Sequence, residues 1–115
     1  MKHNFRELKI WKDSIEIVKL IYLLTSELPD DEKFGLKSQL QRCAVSIPSN
    51  IAEGSGRSTN KDFRNFLNMG LSSSYELETQ LIIINELFQI EIVELIEKLH
   101  EVQRMIIGFK KTLEV

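Results

Sequence analysis

Apolar side chains recur at alternating steps of three and four residues through almost the whole of this 115-residue chain. That period belongs to the α-helix, whose successive turns bring such positions onto one face. Leu8, Trp11, Ile15, Val18, Tyr22 and Thr25 form one heptad-like seam. Leu36, Leu40, Cys43, Ile47 and Ile51 form a second. A third runs through Phe63, Leu67, Gly70, Ser74, Leu77, Leu81, Ile84 and Phe88, and a fourth through Ile92, Leu95, Leu99, Val102, Ile106, Phe109 and Leu113. The chain holds two prolines and five glycines, too few for an all-β fold with many turns.

The pattern predicts an all-α protein with helices over residues 6–27, 31–52, 61–88 and 92–113. Pro29 ends the first helix. Asp30, Asp31 and Glu32 supply negative charge near the start of the second. Gly54 is the expected C-cap of that helix, and Ser58, Thr59 and Asn60 are three N-cap candidates for the third. Connectors of a few residues favour antiparallel neighbours. The expected architecture is therefore an antiparallel up-down four-helix bundle, one domain over residues 1–115.

Helix 2 carries a proline in its interior. Its apolar spacing runs through Pro48 without losing register, so the sequence predicts a helix kinked at Pro48 rather than a turn. The proline removes one hydrogen bond and crowds the Ala44 carbonyl, at a cost of about 3 kcal/mol. Ser46, Ser49 and Asn50 are near enough to offer replacement hydrogen bonds.

With 43% hydrophobic and 28% charged residues, the composition is that of a soluble globular protein. The longest apolar run of the first helix, residues 20–24, is far short of the ~20 residues of a membrane span. The first residues are polar and unlike a signal peptide. A lone cysteine, Cys43, cannot form an internal disulfide. These features point to a cytoplasmic protein with no membrane role. The net charge of −2 is no bulk argument for nucleic acid. Its distribution is uneven: residues 1–70 carry 11 Lys+Arg against 9 Asp+Glu, and residues 71–115 carry 4 against 8.

Helix 1 has a second apolar stripe, Ile10, Ile17, Ile21, Leu24 and Leu28, about a third of a turn from the first. In helix 3, Leu81, Ile82, Ile83 and Ile84 surround the axis. Such a surplus implies a further burial partner, and self-association through Ile10, Ile17, Ile21 and Leu24 is the expected use, with a wide flank of the subunit's own core as the alternative.

No catalytic constellation is visible. Glu97 and His100 match one Glu-x-x-His unit, where a di-iron bundle needs two and more carboxylates. Helical spacing places both away from the core seam. His3 falls in a terminus expected to fray. Residues 54–57, Gly-Ser-Gly-Arg, lack the ending of a P-loop and follow a helix rather than a strand. Cys43 reads as a buried structural thiol. Glu76 and Glu78, two apart on a helix, do not face one another. The chain is read as a non-enzyme with no cofactor, metal or small-molecule substrate. The remaining signal is basic: Arg57, Lys61 and Arg64 cluster around the start of helix 3, and Lys37 and Arg42 lie on helix 2. Ser58, Thr59 and Asn60 add donors beside a helix N-terminus, where phosphate contact is feasible. Phe5 and Trp11 do not read as base-stacking platforms, since Trp11 falls in the seam.

Several motifs resemble one bacterial family across nearly the whole chain. They are residues 5–11 (Phe-Arg-Glu-Leu-Lys-Ile-Trp), Tyr22 and Thr25, Leu28-Pro29, Glu32, residues 34–36, and residues 39–42. Most specific is the run Ser46-Ile47-Pro48-Ser49-Asn50-Ile51-Ala52-Glu53-Gly54. Phe63, Phe66-Leu67 and Ser73 with Glu76-Leu77-Glu78 complete the set. The family is that of the 23S rRNA intervening-sequence protein, grouped with the accessory protein of diversity-generating retroelements. The resemblance implies a homopentameric barrel of bundles and, in at least some members, association with nucleic acid through basic surface. Arg42 matches a family arginine, and Arg57 falls where members often carry basic residues. Gly70 stands where alanine is common. The expectation is a non-catalytic homo-oligomeric scaffold that binds RNA or DNA through Lys37, Arg42, Arg57, Lys61 and Arg64. The alternative is a protein–protein adaptor with no nucleic-acid role.

Overall fold

The computed structural model describes residues 3–32 and 35–115. Four helices account for most of them: α1 (Lys9–Thr25), α2 (Leu36–Ser55), α3 (Asn60–Phe88) and α4 (Val93–Lys111). Two one-turn 3-10 segments, Phe5–Glu7 and Asp30–Glu32, precede α1 and α2. The expected starts at residues 6 and 31 were too early. Asn4 caps the first 3-10 turn by accepting the Arg6 amide at 3.2 Å, and Leu8 is extended before α1 begins. At α2, the expected extra turn includes Lys33 and Phe34, which lie outside the described residues, as does Phe34 of the family motif.

Each helix contacts two others, α1–α2, α2–α3, α3–α4 and α4–α1, which closes a four-helix bundle. Neighbouring helices run in opposite senses. From Gly54 back through Ser46 to Cys43 on α2, the α3 partners climb from Phe63 and Phe66 through Ser73 to Gln80. Along α3, Arg64 meets Lys110 while Glu78 meets His100 and Gln103. One end of the bundle therefore holds the α2–α3 turn with the start of α1 and the end of α4. The opposite end holds the other two connectors.

α2 continues unbroken through Pro48. Of the three polar residues around it, two are engaged. The Asn50 amide donates to the Ser46 carbonyl at 2.8 Å and to its hydroxyl at 3.0 Å, and the Ser46 hydroxyl shares a hydrogen bond with Ser73 of α3 at 2.8 Å. Gly54 is not the C-cap. It sits inside the last turn, and a Cβ there would stand 2.7 Å from Cβ of Phe66 and 2.9 Å from the Phe63 ring. The glycine thus serves close approach of α2 to α3, and Gly56 takes the cap position, its amide donating to the Glu53 carbonyl at 3.3 Å. Of the three N-cap candidates for α3, Thr59 is used: its hydroxyl accepts the Asp62 amide at 3.1 Å.

The stripes of α1 exchange the roles expected of them. Ile10, Ile17, Ile21 and Leu24 are not a free face: Ile17 is 1% and Ile21 0% exposed, within the core of a single subunit. The residues expected in the seam, Leu8, Trp11, Ile15 and Val18, are only half-buried, and Tyr22 is exposed. The physical reason lies in where the other helices stand: Leu8, Ile15 and Val18 are as aliphatic as Ile10, Ile17 and Ile21, so composition does not choose between the stripes, and the outer stripe is the one that leaves the Trp N–H and Tyr O–H near water. Thr25 does enter the core, because its hydroxyl donates to the Tyr22 carbonyl and accepts from Gln41, both at 3.1 Å. In α3, Leu81 and Ile84 are fully buried while Ile82 and Ile83 stay outside.

Candidate nucleic-acid interface

Three of the five expected basic residues meet at the bundle end that holds the α2–α3 turn. Arg57 leaves α2 just beyond its Gly56 cap. Its guanidinium lies 4.6 Å from the Phe66 ring centroid and 3.2 Å from the Glu53 carboxylate, so the charge is aimed by one aromatic and one acidic neighbour. Lys61 stands exposed in the first turn of α3. Arg64, one turn later, is half-buried and donates to the Lys110 and Leu113 carbonyls, both at 3.3 Å. These are carbonyls at the end of α4, where helical partners run out and the helix dipole is negative. Arg64 therefore pins the end of α4 against the start of α3, and its guanidinium is already engaged.

That pinning recruits two lysines that sequence reasoning missed. Lys110 and Lys111 close α4, and Lys110 reaches Asn68 of α3 at 2.7 Å. Their signal in the sequence was ordinary: two lysines in a last turn suit the dipole of any helix. Only the pairing of α3 with α4 brings the end that carries them against Arg64 and Asn68, at the same end of the bundle as Lys61. His3 is part of the same end. Its amide donates to the Ser55 carbonyl at 3.3 Å, and its ring lies 5.3 Å from Phe63 and 5.6 Å from Phe109.

The other two expected residues stand apart. Lys37 lies in the first turn of α2, near the opposite end, with its ammonium 3.6 Å from Asp30. About 20 residues of helix rise, on the order of 30 Å, separate it from Arg57. Arg42 is exposed midway along α2 and donates to the Gln39 side chain. Carboxylates dominate the far end: Glu27, Asp30 and Asp31 on the first connector, Glu86, Glu91 and Glu94 around the last. The bundle is thus electrically polarised along its length.

Glu97 is exposed, but His100 is not simply solvated. Its Nε2 donates to Glu78 Oε2 at 3.0 Å, and Gln103 donates to the other carboxylate oxygen at 3.0 Å. These two hydrogen bonds, His100 first, hold the Glu78 carboxyl below the usual range. Cys43 is buried against Gln80, and burial, then the Glu76 carboxylate, push its thiol above the usual range. Among the described residues no group of three or more His, Cys, Asp or Glu could hold a metal ion. Among the same residues no helix is long and apolar enough to cross a membrane.

Fold and charge layout together define a small all-α four-helix bundle with one basic end. A family model described as 23S rRNA-intervening sequence protein matches residues 6–108. The chain belongs to that family. No curated protein matches it.

Proposed function

We propose that this chain is a non-catalytic, self-associating helical scaffold that binds RNA through the basic end of its bundle. The observation that carries the reading is the convergence of Arg57, Lys61, Lys110 and Lys111 from three segments onto one end, next to the free amides that open α3. Such an end offers phosphate contacts without base readout, so it suits recognition of RNA shape rather than of sequence. The family's description supports ribosomal RNA as the class of ligand. An RNA partner is in keeping with a cytoplasmic protein.

A single end carries few cations, and Glu53 and Asp62 lie among them. One bundle therefore binds weakly. Several copies, five if the family resemblance holds in full, repeat the same patch and convert weak binding into useful affinity. Arg64 acts in this reading as a positioning residue, and Lys37 and Arg42 as peripheral contacts.

Fluorescence anisotropy with a structured fragment of 23S rRNA tests the proposal. Affinity is expected to fall steeply between about 50 and 200 mM salt, as counterion release requires. Replacing Lys61, Lys110 and Lys111 by Glu should flatten the log–log salt slope by roughly 0.7–0.9 for each phosphate no longer neutralised. Equal binding by the triple variant, or no binding by the native chain at low salt, overturns the reading. A protein partner that survives nuclease treatment and high salt, with no RNA bound, would replace it by the adaptor function.

A further inference from the structure

α1 and α4 meet along a groove whose two halves differ. Toward the basic end it is polar: Lys9, Asp13, Glu16, Lys98 and Glu101 line it, and Lys9 is paired with Asp13 at 2.6 Å. Toward the opposite end it becomes apolar. There Leu20, Leu23 and Leu24 of α1 and Leu95 of α4 line an open cleft of about 200 Å³. Leu24 and Leu95 are buried and form its floor, while Leu23, on its lip, is 67% exposed. The remaining lining residues are Glu27, Glu91 and Glu94, all exposed.

Two of these carboxylates have a local reason for their place. Glu94 lies in the first turn of α4, where negative charge suits the helix dipole, and Glu91 accepts the Val93 amide at 2.8 Å. Glu27 has no such reason. It follows Ser26, the C-cap of α1, where the dipole is already negative. Among the described residues none of the three forms an ion pair. Lys19, one turn before Leu23, is held by Glu16 at 3.1 Å, and Lys98, one turn beyond Leu95, belongs to the polar half of the groove. Lys37 of α2 is 3.6 Å from Asp30. The cleft therefore joins an apolar floor to a rim of one sign.

We propose that this cleft docks a basic amphipathic helix of a protein partner, with an aliphatic side chain seated among the four leucines and Lys or Arg one turn to either side engaging Glu27, Glu91 and Glu94. The volume suits a side-chain anchor rather than a small organic ligand, whose pockets run to about 300–1,000 Å³. A groove between two helices offers holes between side chains and no unpaired sheet edge, so a helix fits it and an added strand does not. The carboxylates repel nucleic acid and acidic partners, which makes the rim selective as well as attractive. So small a contact belongs with transient interfaces, below about 1,200 Å² of buried surface. The cleft lies at the end of the bundle opposite Arg57, Lys61 and Lys110. Both ends are thus free to be occupied together, and the inference does not depend on RNA binding.

The probe is a synthetic, fluorescently labelled peptide of about 15 residues with leucines at i, i+3, i+4 and i+7 and lysines flanking that stripe. A second form carries a photo-reactive residue within the stripe. Anisotropy should show saturable binding that weakens as salt rises, and crosslinks should map to residues 20–27 and 91–95. Leu23→Gln, at an exposed position, should weaken binding about tenfold with helicity unchanged. Glu27→Gln combined with Glu94→Gln should weaken it and flatten its salt dependence. A peptide of the same composition with scrambled leucines should bind about tenfold more weakly. Equal binding of the scrambled peptide, full-strength binding by Leu23→Gln, or crosslinks outside the cleft overturns the proposal. So does a Leu23→Gln chain whose own sedimentation is altered without peptide, which gives the cleft to a second copy. None of these outcomes bears on RNA binding at the opposite end.

Discussion

Three glycines lie in helices, and the same substitution is expected to act differently at each because their surroundings differ. In a helix, Gly→Ala gains about 1 kcal/mol of backbone propensity wherever the added methyl finds room. At Gly108 nothing lies within 4 Å of the new Cβ, so Gly108→Ala should stabilise by about that amount. At Gly70 the nearest atoms are the Ile47 carbonyl oxygen at 3.5 Å and Asn50 Cβ at 3.7 Å, ordinary van der Waals distances, and Gly70→Ala should be neutral or mildly stabilising. At Gly54 the new Cβ would meet Phe66 Cβ at 2.7 Å and the Phe63 ring at 2.9 Å. Carbon atoms rest about 3.5–4.0 Å apart. Phe66 Cβ is bonded to the backbone and cannot rotate aside, so α2 and α3 must separate by about 1 Å. Overpacking of this kind costs about 1–3 kcal/mol. Set against the propensity gain, Gly54→Ala is expected to cost about 0–2 kcal/mol net, in place of the gain of about 1 kcal/mol at Gly108. Urea unfolding followed by helical circular dichroism separates the three cases, since each kilocalorie moves the midpoint while the slope stays constant. A Gly54→Ala variant as stabilised as Gly108→Ala would refute the close-approach argument.

Three further outcomes follow from single interactions. Glu78 titrates below an unfolded glutamate, so its hydrogen bonds stabilise the fold above about pH 4.3, and that contribution disappears as pH falls through the lower folded value; Glu78→Gln should flatten the acid limb of a stability–pH profile between about pH 5 and 2, and an unchanged limb would count against it. Gln89 closes α3 in the left-handed conformation at φ 57°, which disfavours any residue with a Cβ, so Gln89→Gly should raise thermal stability by about 0.5–1 kcal/mol, a few degrees in Tm, and a fall would argue against strain at that cap. Ile21 is wholly buried within one subunit, so Ile21→Glu should abolish cooperative unfolding rather than merely weaken assembly; a well-folded monomeric variant would restore the stripe to the subunit exterior.

The four helical elements, and the clustering of Arg57, Lys61 and Arg64 around the start of α3, could be read from the sequence. Periodicity of three and four residues marks helices because it reports a purely local property, the turn of about 100° per residue. Short connectors then force reversal, and with it the meeting of Arg57, Lys61 and Arg64. Three things could not be read that way. Periodicity locates two stripes on α1 but carries no direction, and only the positions of the other helices choose Ile17 and Ile21 for the interior over Trp11 and Tyr22. Gly54 looked like a terminator because its local sequence suits one; its role is to let α2 approach Phe63 and Phe66 of the next helix. Lys110 joins the basic end across more than forty residues of sequence.

The distinction is one of range. Helical phase, capping and net charge arise from neighbours along the chain, so amino-acid order alone settled that this protein is four amphipathic rods. Which face of each rod turns inward, and which charges become companions, depends on close packing among side chains distant in sequence. That packing exists only once the bundle has closed.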